Sequence, residues 1–286
     1  MFSFKRLCAC CFVPKPDDIH LDTIEKDHND PNSNSNQQES ALQLVTDSKS
    51  QLNQTITEIT KLTLSIIDTE GMQIGTEYEI YPMGLKGSSR RIQDGCVYAG
   101  TLRFENNIII NDIILSENEK GVGKKHFLIQ FDKYQKNYFL KDLGDGMGTF
   151  IRLDKPLKLK SNHIISFGDS HLVITIEQPN LCLKFIDGPK TEEKFTYGPA
   201  DGPIKIGRMA DCNIRFDDSS LSRYQCIFKF EDSWYLIDGD GRKLSTNGTW
   251  LFCEDFFEIF DGLVFKAGQT LFKAQYNAEM INLNND

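Results

Sequence analysis

The chain has 286 residues, 40% of them hydrophobic and 26% charged, the composition of a globular protein with room for about two domains. Lys and Arg number 32 against 41 Asp and Glu, giving a formal net charge of -9. A chain this acidic is a poor general binder of nucleic acid, since that binding must neutralise phosphates with cationic side chains. The lack of any apolar run near the ~20 residues of a spanning helix excludes an integral helical membrane protein.

The N-terminus places Cys8, Cys10 and Cys11 among apolar residues directly after Lys5 and Arg6. This pattern suits S-acylation at the cytoplasmic face of a membrane, with the two cations drawn to anionic lipid; an inert tail is the alternative. Phe2 stands where N-myristoylation requires glycine, and Pro14-Lys15-Pro16-Asp17 follows at once without a small-residue cleavage site, against a signal peptide. A zinc site would need a fourth ligand, for which only distant His20 offers itself. Cys96, Cys182, Cys212, Cys226 and Cys253 are scattered, and Cys182 and Cys226 fall within apolar runs. They are expected to be reduced and largely buried, in a cytoplasmic protein without cofactors.

Residues 1–60 read as a flexible tail and linker. Asp27 to Ser40 is almost free of large apolar side chains and cannot bury enough surface to offset chain entropy. Loosely spaced Leu42, Leu44, Leu52, Ile56 and Ile59 predict at most a short helix near 41–60. From Leu62 the hydrophobic period becomes two. Leu62-Leu64-Ile66, Phe127–Phe131, Tyr138–Leu140 and His171–Ile176 are short runs rich in β-branched and aromatic residues. The Asp-Gly pairs at 94, 145 and 187 and Asn247-Gly248 punctuate them as turns. Many short strands with little helical period predict an all-β protein built as sandwiches.

The strands also repeat. Lys141–Phe150 ends 100 positions before Ser245–Trp250 ends, and Ile165-Ser166-Phe167-Gly168 lies the same distance before Phe265-Lys266-Ala267-Gly268. Two tandem β-sandwiches follow, at 61–178 and 179–276, with a tail at 277–286. In the second copy three pieces stand out: Gly207-Arg208, Ser222-Arg223 and Ser245-Thr246-Asn247-Gly248-Thr249. Arginine forks suit phosphate, hydroxyls donate to it, and an Asn amide both donates and accepts, as gripping an extended peptide requires. Loops cluster at the ends of a sandwich, so all three pieces could meet on one ligand. Taken alone, Ser245–Thr249 is a tight hairpin turn; the three together in this order are far more specific.

These residues resemble the forkhead-associated (FHA) family, phosphothreonine-peptide-binding sandwiches with the order Gly-Arg, Ser-Arg-x-His, Ser-x-Asn-Gly-Thr and a late Gly. The chain supplies Gly207-Arg208, Ser222-Arg223-Tyr224-Gln225, Ser245–Thr249 and Gly268, with Gln225 where the family has its loop-bracing His. The resemblance implies that Arg208 and Ser222 bond the phosphate, Arg223 adds charge beside them, Thr246 forms the pocket and Asn247 holds the peptide backbone. Gly207 and Gly248 are then structural. The first copy resembles the same family without its ligands. It reads Gly100-Thr101, Gly123-Lys124-Lys125-His126 and Asp145-Gly146-Met147-Gly148-Thr149, with Asp145 adding negative charge and Lys120, Lys124 and Lys125 positive. The function implied is a non-enzymatic signalling adaptor whose partner carries phosphothreonine, with peripheral membrane association through the N-terminal cysteines. A phosphate-independent scaffold remains the alternative. No Gly-rich nucleotide loop, metal-ligand cluster or nucleophile elbow points to an enzyme.

Overall fold

A computed structural model describes residues 56–90 and 92–282. The period-two runs are all strands. Leu62, Leu64 and Ile66 point into a core at no more than 1% exposure, as alternation along a half-buried strand requires. Among the described residues the chain forms no α-helix, only one 3-10 turn at Pro199–Asp201.

Two strands bracket the whole fold. The first, Ile56–Asp68, pairs antiparallel with the last, Thr270–Asn282, from Ile56↔Asn282 to Asp68↔Leu271. Both expected tails are therefore shorter at their inner ends, because 56–60 and 277–282 are joined in one ladder. The part of the expected 41–60 helix that is described is strand; the rest lies outside the described residues, as do Cys8, Cys10 and Cys11. The two long strands belong to an eleven-stranded sheet. At its middle Trp250–Phe252 pairs with Thr149–Arg152, register Phe150↔Phe252, Ile151↔Leu251 and Arg152↔Trp250. A five-stranded sheet covers each half. One contains Cys96–Gly100, Phe127–Asp132 and Asn137–Asp142, the other Ile204–Gly207, Cys226–Phe230 and Trp234–Asp238.

The two cores do not divide between 178 and 179. The first contains Leu62 through Ile151 and then Cys253, Ile259, Leu263, Phe265, Phe272 and Ala274. The second runs from Leu153 through Ile165, Phe167, Leu172 and Ile174 to Leu251. Each copy thus sends its C-terminal hairpin into the other sandwich. Ile164–Phe167 and Ser170–Glu177 lie beside Asn180–Asp187, while Val264–Ala267 and Thr270–Asn282 lie beside Ile56–Asp68. The 100-residue period makes the two hairpins near-equivalent, so either can fill either core, and exchanging like elements costs little. Polar ties fix the exchange. Glu119, only 5% exposed, accepts the Thr270 hydroxyl at 2.7 Å and the Gln269 amide, and Thr69 and Thr270 share a hydroxyl contact at 2.7 Å.

Candidate functional site

The site grows from one strand pair. Ile204–Gly207 runs antiparallel to Cys226–Phe230, with Ile206 opposite Cys226, so the loop leaving the first strand lies against the loop entering the second. The Arg208 and Met209 amides both donate to Arg223 O, at 3.2 and 3.3 Å. Gly207 makes this approach feasible, since a Cβ there would sit 2.3 Å from Arg223 O.

The third loop joins across side chains. Thr246 N–H donates to Ser222 Oγ at 2.9 Å, the two hydroxyls lie 3.4 Å apart, and Asn247 Nδ2 donates to Ser220 O at 3.0 Å. Gly248 turns the chain at φ 79°, a left-handed conformation that favours glycine. Trp250 Nε1 then donates to Asn247 O at 3.0 Å. Arg208, Arg223, Thr246 and Asn247 are exposed and Ser222 is half-buried, so the loops that carry these cations, hydroxyls and amide meet at one accessible end of the second sandwich. Such a set can bind an anion and hold an extended chain; the three loops supply no base poised on a nucleophile.

Behind the loops stands Gln225, fully buried. Its Oε1 accepts Ser222 N–H at 3.2 Å, and its Nε2 donates to Gly248 O at 3.0 Å and to Ser245 Oγ at 2.9 Å. Asp238 completes the frame by accepting the Ser245 amide at 2.8 Å and hydroxyl at 2.7 Å. Gln225 thus ties two of the loops from below. Asp238 and Trp250 escaped the sequence reading because their roles depend on strand pairing.

The first sandwich repeats the frame. A Cβ on Gly100 would lie 2.3 Å from Lys124 O. His126 Nδ1 accepts Gly123 N–H at 3.0 Å, and its Nε2 faces Gly148 O at 3.3 Å, which requires the proton on Nε2. Burial holds the imidazole below its usual pKa, and burial likewise raises the neighbouring Asp142 carboxyl. Asp142 accepts the Gly144 and Thr149 amides, each at 2.7 Å. What differs is the loop side chains: Thr101, Gly123, Gly146 and Met147 stand where the second copy has Arg208, Ser222, Thr246 and Asn247. An open depression of about 500 Å³ remains, lined by Thr101, Gly123, Lys124, Asp145 and Gly146 among others. The Asp145 carboxylate there accepts the Lys125 amide at 3.2 Å.

The scattered cysteines match expectation in part. Cys182, Cys226 and Cys253 are buried, Cys96 and Cys212 half-buried, and all five are free thiols. Among the described residues no helix is long and apolar enough to cross a membrane.

The family model of the FHA domain matches residues 106–168 and again 204–256, the second span containing all three site loops. No curated protein matches the chain. Both matches follow the sequence repeat and run across the point where the cores exchange. FHA domains are known as phosphothreonine-binding protein-interaction modules, and the two matches to their model lie in tandem along this chain.

Proposed function

We propose that the chain is a phosphothreonine-dependent adaptor that binds its partner through the second FHA copy. Arg208 and Ser222 take the phosphate, Arg223 adds positive potential, Thr246 walls the pocket and Asn247 grips the peptide main chain. The observation that carries this reading is the Thr246 amide held on Ser222 Oγ beside the paired Arg208–Arg223 loops. Donors fixed by the fold lose little freedom when an oxyanion arrives, and charge-assisted bonds of ~1.5–3 kcal/mol each support affinity near the micromolar range. The first copy, lacking these side chains, serves as a scaffold whose hairpin completes the second core. The N-terminal cysteines, if acylated, tether the adaptor to a cytoplasmic membrane face. Net charge argues against a nucleic-acid partner.

Calorimetric titration of the full chain with a phosphothreonine peptide library tests the reading. Arg208→Ala and Ser222→Ala should each weaken binding by roughly tenfold or more, and dephosphorylated peptide should not bind. Unchanged binding by both variants would favour the phosphate-independent scaffold.

A further inference from the structure

The exchanged sheet brings a cation from the first copy to the site of the second. Arg152 ends the strand Thr149–Arg152 and sits opposite Trp250, the residue whose indole holds Asn247 O. Its Nε lies 3.3 Å from where a Cβ on Gly248 would be, beside the turn that carries Asn247. That Nε is buried and has no hydrogen-bond partner. The nearest carboxylate, Asp154, stands 3.7 Å from it, an ion pair too long for a hydrogen bond. The Arg152 side chain retains 28% exposure, so part of it still meets solvent. Lys266, on the strand that pairs with Thr149–Arg152, brings its Nζ to 4.7 Å from the Trp250 ring centroid, a second basic group near the turn.

An incompletely paired guanidinium beside a peptide-gripping turn has an evident complement. We propose that Arg152 is a specificity-determining residue that reads an acidic side chain of the bound phosphopeptide, next to the stretch held by Asn247. The inference rests on the phosphothreonine reading of the second copy and adds to it a ligand feature, a carboxylate flanking the phosphothreonine. It also assigns the first copy a part in recognition that its own degenerate loops do not provide. A carboxylate at this point gains a planar, always-charged donor in partly buried surroundings, where the pairing is stronger than at an open surface.

The experiment uses the full chain and an array of phosphothreonine peptides in which each flanking position is fixed in turn as Asp or Asn. Wild-type protein should prefer Asp over Asn at one position by roughly tenfold. Arg152→Gln should erase that preference while binding the Asn peptides as wild type does, and Arg152→Lys should restore part of it. Arg208→Ala should weaken both series alike. A preference that survives Arg152→Gln overturns the proposal and leaves the phosphothreonine reading intact. So does a wild type that binds phosphopeptides without preferring Asp anywhere, whatever the variants do. A wild type that binds no phosphopeptide overturns both.

Discussion

Gln225 and His126 solve one problem with different chemistry. Each accepts an amide from the loop before its strand, Ser222 N–H on Gln225 Oε1 or Gly123 N–H on His126 Nδ1, and turns a side-chain N–H to the carbonyl of Gly248 or Gly148. A primary amide has an acceptor oxygen and two donors, so it covers both imidazole contacts and still reaches Ser245. Gln225→His should therefore fold and bind phosphopeptide at close to the wild-type level. Gln225→Ala should lose about 2–4 kcal/mol of stability, because it leaves a cavity and unpaired buried groups under two loops. Denaturant unfolding with the calorimetric titration checks both; equal stability of Gln225→Ala and wild type would contradict the bracing role. The side chains proposed to bind were legible in the sequence, since a Gly-Arg, a Ser-Arg and a Ser-x-Asn-Gly-Thr carry their chemistry on their face. The brace was legible only through the resemblance, which sets Gln225 where the family has its loop-bracing His; nothing local to Gln225 says that two loops lie above it.

The strands show the same division between local and distant information. Leu62–Ile67, Phe127–Phe131 and His171–Ile176 announce themselves by period, and each is a strand. Residues 56–60 and 277–282 do not, because what makes them strand is each other, across more than the length of both repeats. The period likewise identifies two hairpins without saying which core each fills. Phe272 decides that question. It belongs to the second sequence copy, yet its ring stands 5.6 Å from Phe127 and 5.1 Å from Phe265 in the first sandwich. Phe272→Ala should cost about 3–5 kcal/mol, with hydrogen exchange accelerating more at the amides of Phe127–Asp132 than at those of Cys226–Phe230. Faster exchange in the second sandwich instead would place that hairpin with its own copy.

At the scale of the molecule, the antiparallel junction of Thr149–Arg152 with Trp250–Phe252 means that the two loop sets enter it from opposite ends. One end carries Arg208, Ser222, Thr246 and Asn247; the other carries Thr101, Gly123, Gly146 and Met147. The two halves thus share one frame and differ in loop chemistry, interlocked so that the end proposed to bind depends on strands from the first copy. If the N-terminal cysteines are acylated, replacing Cys8, Cys10 and Cys11 with Ser should move the protein from membrane to cytosol, and a wild type found only in the cytosol would end that proposal. The most direct measurement follows backbone amide shifts of the full chain as a phosphothreonine peptide is added. Residues 208–209, 222–223 and 246–248 are expected to move, with 100–101, 123–125 and 145–147 left in place. Shifts confined to the first sandwich, or none at the second sandwich's three loops, would contradict phosphothreonine recognition there.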